Sequence, residues 1–479
     1  MKTHTPVRGY LMLLAIVFGA IFVTVLGALS AFVLTENRAQ TAATSSTRAT
    51  AIAEAGLEYY RWFLAHYPTD LQNGTGVNGP YTIAYNDPEG GQTGTIELEI
   101  SGNSSCGTIT SIDISSTGTP AEAPTISKTI HARYAQPTVA RYSYVLNSTV
   151  WAGDDRIILG PYHSNGGIRM DGSANSSVTS SLSSWLCTSS FGCSSSQTRP
   201  GVWGAGTNQT LWDYPIPQVD FAGIAADFGS LKTKAIASGR YLARYSSGTN
   251  QSQANYWRGY HLIFNGNNTV TVRRVSSTTS LTSTSINAEE EDDDIPDRTL
   301  IASESFYSTL TLPSDCGLIY VEDNVWIEGV VDSKVTVIAA NTVNTGIAPN
   351  VMLPDNLTYA VTDGTDGLTV IAENNVLITP DSPQNMTLNG IFVAQNGAFG
   401  RNLYACPSSY EPRGTLTILG TTVSNLRTGT KWVNGGCGSV DDGGYQNRID
   451  AYDRNLSTDP PPFTPQTSSD FVFLDWRED

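Results

Sequence analysis

The chain has 479 residues, enough for two or three domains, and its 40% hydrophobic content can supply buried cores. Charged residues make up 15%, and the abundance of Ser, Thr, Asn and Gly in their place favours strands and turns over helical bundles. The formal net charge of −17, without any basic stripe, argues against a nucleic-acid partner, because neutralising phosphates requires clustered Lys and Arg.

The first predicted element is an apolar segment near the N-terminus. Tyr10–Leu34 contains no charged residue, and as a helix it spans roughly 37 Å, more than the ~30 Å hydrocarbon core of a bilayer. Lys2 and Arg8 precede it and Glu36 follows it. Because basic flanks stay on the cytoplasmic side, we expect the remainder of the chain to lie outside the membrane.

Three interpretations of this segment remain open. The first is a cleaved secretory signal, for which Ala28-Leu29-Ser30 supplies a small-residue cleavage site, although signal cores usually hold only about 7–15 apolar residues. The second is a plain single-pass anchor. The third is a longer helix that crosses the membrane and continues beyond it.

The residues that follow favour the third interpretation. Between Glu36 and His66 there is no Pro, and one helical face carries apolar or small residues at spacings of four, four and three, namely Ile52, Gly56, Tyr60 and Phe63. Pro68 then ends the helical pattern. The sequence therefore predicts one helix over residues 10–67, with residues 10–34 transmembrane and the second half packed on a sheet.

Two motifs carry a family resemblance. Arg8–Leu14 (RGYLMLL) resembles the N-terminus of type IV pilin-like proteins, especially PilX-type minor pilins, and Ala53–Leu57 (AEAGL) resembles the stretch that follows their hydrophobic helix. The resemblance implies a leader peptide over residues 1–9, cleaved between Gly9 and Tyr10 by a prepilin peptidase. It also implies methylation of the new N-terminus and packing of the helix against other pilin subunits.

One position departs from the pattern of major pilins. They usually carry Glu at the fifth mature position, where this chain has Leu14. A carboxylate there pairs with a neighbour's terminal amine, which offsets the cost of a charge in lipid. Without it we expect poor repeated stacking into a shaft, a departure that also occurs in minor subunits.

Residues 68–138 are predicted to form a small antiparallel sheet. Thr95–Ile100 alternates with a period of two, and Ser111–Ile114 and Thr129–Tyr134 are further short strands. Asn86–Gly91 reads as a turn. Together with the long helix, these strands predict a pilin-like α+β module.

Residues 139–479 are predicted to form a large, mostly β head. Val321–Ile327 resembles Ala372–Ile378, with weaker copies at Ala339–Val343 and Ala394–Phe399. Asn at turns between short apolar strands suits a β-solenoid, because Asn tolerates left-handed geometry and bonds its own backbone. The irregular spacing leaves a sandwich open, and a solenoid-like head is the expectation.

The head also resembles a domain of unknown function in bacterial pilus-assembly-like proteins. The matching stretches are Gly160–Gly166, Gly367–Ala372, Thr415–Gly420, Tyr452–Arg454 and Pro461–Phe463. The resemblance implies a cell-surface context and no known activity.

The six cysteines offer two local pairs, Cys187 with Cys193 and Cys406 with Cys437. In an oxidising compartment each pair is a candidate disulfide, and the alternative is buried free thiols. Cys106 and Cys316 have no obvious partners in the sequence.

No catalytic constellation stands out. His163 is predicted to lie in a turn, where it acts either as a general acid or base or as a hydrogen-bond partner of nearby backbone. Asp154 and Asp155 are either a carboxylate pair for glycoside cleavage or simply acidic turn residues. The acidic run Glu289–Asp294 is expected to be a solvated loop. A weak calcium site formed by Asp292, Asp294 and Asp297 is the alternative, and no other cofactor is expected.

The sequence therefore predicts a non-enzymatic minor pilin or pilus-assembly protein. It would be anchored in the inner or cytoplasmic membrane by a single span before assembly, and its head would lie at the cell surface or on the pilus afterwards. The expected partners are other pilins, the prepilin peptidase and the membrane. The alternative is an anchored envelope-polysaccharide enzyme or adhesin that never enters a filament.

Overall fold

The computed structural model describes residues 10–67, 70–286, 294–343, 347–404, 408–433 and 442–479. Contacts between residues divide the chain into two compact units. The helix unit contains residues 10–102, Ile112–Tyr134 and Asp475–Asp479. The strand unit contains Asn103–Ser111 and Ala135–Leu474.

The described residues form the following elements. The α-helices are α1 Tyr10–His66, α2 Phe221–Ile224, α3 Phe228–Ala237 and α4 Arg454–Thr458, and single 3-10 turns lie at Val139–Arg141, Ser189–Phe191, Gln209–Leu211 and Ala254–Trp257. The first strands are β1 Tyr81–Asn86, β2 Gln92–Ser105, β3 Thr108–Pro120, β4 Lys128–Ala135, β5 Tyr144–Leu146, β6 Val150–Ala152, β7 Arg156–Leu159, β8 Tyr162–Ser164, β9 Ile168–Met170, β10 Ser173–Ala174 and β11 Val178–Ser180. Next come β12 Ser184–Cys187, β13 Gln197–Pro200, β14 Val202–Trp203, β15 Trp212–Asp213, β16 Arg240–Leu242, β17 Gly259–Asn265, β18 Thr269–Thr284, β19 Asp294–Thr311, β20 Leu318–Val321, β21 Asn324–Val331 and β22 Lys334–Ala339. The last are β23 Val351–Leu353, β24 Leu357–Tyr359, β25 Gly367–Ala372, β26 Val376–Ile378, β27 Met386–Ala394, β28 Phe399–Gly400, β29 Leu403–Tyr404, β30 Arg413–Ser424, β31 Lys431–Trp432, β32 Gly443–Ala451 and β33 Val472–Glu478.

Helix α1 is continuous from Tyr10 to His66, as predicted. The four residues expected on one packed face, Ile52, Gly56, Tyr60 and Phe63, are all buried, and Ala49, Ala53, Leu57 and Leu64 are buried with them. Small side chains let the helix approach the sheet closely: a methyl group on Gly56 would fall 2.6 Å from Cγ2 of Ile96. The packed face is therefore the one that the spacing of apolar residues predicts.

The sheet of the helix unit has the strand order β1-β2-β3-β4-β33. Strands β1 and β2 pair antiparallel, as do β3 and β4, so the small antiparallel sheet predicted from the sequence is present. Its helix-facing core includes Ile96, Leu98, Ile112, Ile114 and Ile130. These residues alternate with exposed or half-buried ones, the pattern of a sheet with one covered face.

The predicted division into a sheet module ending at residue 138 and a head running to residue 479 differs from the structure in two places. The C-terminal strand β33 returns to the sheet of the helix unit, where Lys128 Nζ lies 3.1 Å from Glu478 Oε1 and His131 Nε2 lies 2.9 Å from Asp479 Oδ2. Residues 103–111, at the turn between β2 and β3, belong to the strand unit. Pairing between such distant segments leaves no periodic signal in the sequence.

The strand unit is built largely from parallel ladders. One series runs β16-β20-β22-β25-β27-β30-β5-β8-β11-β15, and every neighbouring pair in it is parallel. A second series runs β17-β21-β23-β26-β28 and a third runs β21-β24-β27-β30-β32-β7-β10, again parallel at each step. In the first series β5 pairs with β30, and in the third series β7 pairs with β32, so strands near the start of this unit continue ladders formed by strands near its end.

Parallel strands of this unit are buried almost without a break. Every residue of β25 is buried, as are nearly all residues of β22 and β27. Strands covered on both faces read as continuous apolar runs instead of alternating ones. Burial on both faces therefore accounts for the short runs of Val, Ile and Leu in these strands.

Buried asparagines join successive turns between these strands. Asn324 Oδ1 accepts a hydrogen bond from the backbone N–H of Asn350 at 2.9 Å, and Asn350 Oδ1 accepts one from the N–H of Asn375 at 3.2 Å. Asn375 Oδ1 in turn accepts one from the N–H of Ala398 at 2.8 Å. Each of these three amide oxygens bonds the backbone of the next turn, and none of the three residues has a positive φ.

Candidate functional site

The most distinctive surface of the chain is the first half of α1. Every residue from 10 to 44 is exposed, including large apolar side chains such as Phe18, Phe22 and Phe32. Its best 18-residue stretch has a mean hydropathy of 2.7, and by length and composition the helix can cross a membrane. Soluble proteins rarely expose a continuous apolar surface of this size.

The few polar groups within this surface are satisfied by the helix itself. The hydroxyl of Thr24 donates to the carbonyl oxygen of Ile21 at 2.8 Å, and that of Thr35 donates to the carbonyl oxygen of Ala31 at 2.8 Å. Internal hydrogen bonding removes much of the cost of placing a hydroxyl in an apolar environment. The segment is therefore suited to lipid or to a bundle of apolar helices.

The predicted processing residues lie at the start of this surface. Tyr10 is the first residue of α1 and is 69% exposed, while Gly9 lies outside the described residues. Leu14, which stands where major pilins carry Glu, is also exposed on the helix. The leader cleavage itself stays a prediction.

The second half of α1 differs because it has a partner within the chain. Its buried face packs on β2 and β3, and the hydroxyl of Tyr60 donates to the backbone oxygen of Asp70 at 3.1 Å. Burial, and then the nearby charge of Asp70, raises the pKa of Tyr60 above its ordinary value. This half fixes the helix to its sheet and leaves the first half projecting from it.

The structure places one of the two local cysteine pairs in a disulfide. Cys187 and Cys193 are bonded at the hairpin of β12 and β13, with Cα atoms 5.9 Å apart. Cys106 and Cys316, which had no obvious partners in the sequence, form a second disulfide across a separation of 210 residues. Cys406 and Cys437 lie outside the described residues.

Of the three weak calcium candidates, the structure describes the side chain of Asp297 alone. Asp292 and the side chain of Asp294 lie outside the described residues. Asp297 is buried, and its carboxylate accepts hydrogen bonds of 2.7–2.8 Å from the side chains of Thr299, Asn402 and Tyr404. In the described ranges, no group of three or more His, Cys, Asp or Glu is arranged to hold a metal ion.

His163 is held inside the strand unit by neutral partners. Its ring nitrogens lie 2.9 Å from Thr179 Oγ1 and 3.0 Å from Asn165 Oδ1. Burial lowers its pKa. His163 lies in strand β8 and not in a turn as predicted, and its imidazole joins β8 to Thr179 of β11.

Asp155 is paired with a cation instead of a second carboxylate. Arg448 donates to both of its oxygens, at 2.7 and 3.1 Å, and Lys431 lies 3.6 Å away. Burial alone would raise the pKa of Asp155, but Arg448 holds it below the ordinary value. Asp154 is exposed.

No family model matches the chain, and no curated protein matches it. Among solved structures, the chain is similar to the crystal structure of the competence-associated pilin ComZ from Thermus thermophilus, with a TM-score of 0.30 and 14% sequence identity over 91% of this chain and 98% of that one. A likeness of this size carries no argument, and the resemblance to PilX-type pilins stays a prediction from the sequence motifs.

Proposed function

We propose that this chain is a pilin-like structural subunit that is anchored in the membrane by the first half of α1 before it joins a pilus. The observation that carries the proposal is the division of one unbroken helix into an exposed apolar half and a half packed on its own antiparallel sheet. A plain anchor has no need of the packed half. A filament subunit needs it to fix its globular part to the helix that bundles with other subunits.

The proposal includes the processing that the N-terminal motif implies. The leader is removed between Gly9 and Tyr10 by a prepilin peptidase, and the new N-terminus is methylated. The single span then holds the remainder of the chain outside the inner or cytoplasmic membrane, since the basic flank precedes the span. The two disulfides support this placement, because disulfides persist in oxidising compartments.

The strand unit is the displayed head in this proposal, and we infer a solenoid-like arrangement for it. Support comes from the parallel registers of its ladders and from the asparagines that bond from one turn to the next. Its role is to bind a surface or a partner and not to catalyse a reaction. An anchored enzyme or adhesin acting on envelope polysaccharide is the alternative from the sequence.

The subunit is proposed to occupy a minor position. Leu14 lacks the carboxylate that pairs with a neighbour's terminal amine, and a head of this size would crowd a close-packed shaft. Replacing Leu14→Glu should raise the amount of the protein recovered in sheared filaments. Leu13→Glu, which puts the same charge one position away, is the matched control and should not.

The direct test is the N-terminal sequence of the mature protein, read by mass spectrometry from membranes and from sheared appendages. The proposal predicts a methylated Tyr10 in both fractions. A Gly9→Val change should leave the leader attached and keep the protein out of the appendages. Either an intact Met1 or a start at Ala31 in the wild-type protein would overturn the proposal.

A further inference from the structure

The strand unit contains a cleft of about 330 Å³ that none of the features above uses. It is lined by side chains of β17, β19 and β21 and by the loops that follow β23 and β26. Trp326, which is fully buried, and Ile301 supply apolar walls. The volume lies at the lower end of the range for small-molecule sites.

Carboxylates dominate the polar lining. Among the described residues that line the cleft there are Glu304, Glu328, Asp355 and Asp381, and no Lys or Arg. Asp355 and Asp381 are exposed; Asp355 accepts a hydrogen bond from Asn356, and Asp381 accepts one from the hydroxyl of Thr379 and interacts electrostatically with Arg413. The four carboxylates outnumber the two arginines beside them, Arg273 and Arg413.

A buried histidine points into this cleft with one ring nitrogen incompletely satisfied. His261 is only 6% exposed, and its Nδ1 lies 2.8 Å from Glu304 Oε2. Its Nε2 makes no hydrogen bond and lies 3.5 Å from Glu328 Oε1, an ion-pair distance at the long end. Arg273 lies 2.6 Å from the other oxygen of Glu304. Among the described residues Glu304 is thus paired with both His261 and Arg273, while Glu328 is paired with His261 alone, at the longer distance.

We propose that this cleft binds the ammonium or guanidinium end of an organic cation. The cation would donate hydrogen bonds to Glu328 and to Nε2 of His261, with Asp355 and Asp381 at the entrance and Trp326 and Ile301 against its aliphatic part. A metal ion is a poorer match, because the described carboxylates are not grouped closely enough to ligate one. The inference uses only the strand unit and does not rest on the pilin proposal.

Binding in this geometry is coupled to the loss of a proton from His261. Burial alone would lower the pKa of His261, but Glu328 and Glu304 raise it overall, so these carboxylates favour a proton on the Nε2 that faces Glu328. Nε2 can accept from the ligand only after it has lost that proton to solvent. The groups facing His261 are Glu304 and Arg273 from the β18–β19 hairpin, Glu328 from β21, and Asp355 and Asp381 from the loops.

The test is calorimetric titration of the full-length protein in detergent with simple probes. N-acetyl-lysine methylamide and N-acetyl-arginine methylamide represent protein side chains, and glucosamine represents an amino sugar. The norleucine analogue is the neutral counterpart of both amino-acid probes, and glucose is the neutral counterpart of glucosamine. The proposal predicts saturable binding of at least one cationic probe and none of its neutral counterpart, and the probe that binds identifies the source of the cation.

Two variants and a control locate the site. Glu328→Gln should weaken binding by about tenfold or more, since it removes one partner of a partly buried charge pair. Asp381→Asn, at an exposed position that does not endanger folding, should weaken it less. Asp213→Asn removes an exposed negative charge elsewhere on the strand unit and should leave binding unchanged.

The proton gives an independent readout. In buffers with different ionisation enthalpies, binding at about pH 6 should release a proton to the buffer, and affinity should rise with pH as His261 loses its proton. Equal binding of cationic and neutral probes, failure of every cationic probe to saturate, or equal losses in Glu328→Gln and Asp213→Asn would overturn the proposal. None of these results would affect the mature N-terminus, so failure here is distinguishable from failure of the pilin proposal.

Discussion

The two halves of α1 share one continuous backbone and have opposite surroundings. Residues 10–44 are entirely exposed, and a methyl group added to Gly27 would meet no atom within 4 Å. In the second half, Gly56 lies directly against the side chains of Ser116 and Ile96. Helix formation is common to both halves, so it does not explain the difference. What differs is the covering: the second half packs on the chain's own sheet, and the described residues leave the first half uncovered.

The largest expected effect comes from removing the exposed half of α1, which should abolish membrane association. Deleting residues 10–34 should move the protein completely from the membrane pellet to the soluble fraction, because those residues carry the apolar surface while the packed half keeps its sheet. Cell fractionation followed by immunoblotting measures this. The full-length protein, as the control, should stay in the pellet after an alkaline carbonate wash. A truncated protein that remains in the pellet would contradict the account.

Close packing of the second half gives the next largest effect. Gly118→Ala would place a methyl group against the backbone oxygen of Ala49 and 2.5 Å from the backbone nitrogen of Ala53, so the helix must move away from β3. We expect a loss of about 1–3 kcal/mol in the free energy of unfolding, as for other overpacked cores. Denaturant unfolding of the full-length protein in detergent measures it.

The matched control for that change lies in the exposed half. Gly27→Ala adds the same methyl group where there is open space and should stabilise the helix slightly, because Ala is the better helix former. Equal losses in the two variants would mean that the halves do not differ in packing.

A smaller difference in stability between the two halves is expected from removing a tyrosine hydroxyl from each. Tyr60→Phe removes the donor to the backbone oxygen of Asp70 and should cost about 1 kcal/mol of unfolding free energy. Tyr10→Phe, at a residue that is 69% exposed, should cost nothing measurable. Thermal unfolding of both variants beside the wild type decides the question, and a Tyr60→Phe protein as stable as Tyr10→Phe would contradict it.

The smallest effect is confined to alkaline pH. Burial raises the pKa of Tyr60 above its ordinary value of 10.0, so the unfolded chain loses this proton at a lower pH than the folded one. The contribution to stability is therefore full below pH 10 and is lost as the pH rises through the folded-state pKa. Unfolding free energies measured from about pH 9 to about pH 11 should fall less steeply for Tyr60→Phe than for the wild type. Identical slopes would count against the raised pKa.

Much of the helix unit could be predicted because its signals are local. The extent of α1 follows from the absence of Pro between Glu36 and His66, and its packed face follows from the spacing of Ile52, Gly56 and Tyr60. The antiparallel strands follow from a period of two. Each signal depends on neighbouring residues, whose geometry is set by the backbone.

Features that depend on distant segments were not predictable in the same way. The pairing of Cys106 with Cys316 closes 210 residues, and β33 joins a sheet whose other strands lie in the first third of the chain. The cleft around His261 likewise draws on Glu304, Glu328 and Asp355, whose spacing in the sequence matches no motif. Only the fold brings such residues together.

The central claim is that the first half of α1 docks on something other than its own chain, and site-specific photocrosslinking tests it most directly. Benzoylphenylalanine in place of Phe22, which is 64% exposed, should give crosslinks to lipid or to another polypeptide in intact cells. The same probe in place of Phe63, which is 7% exposed, should give crosslinks only within the chain. If position 22 crosslinks only within its own chain, the exposed half is covered by the protein itself and the account is wrong.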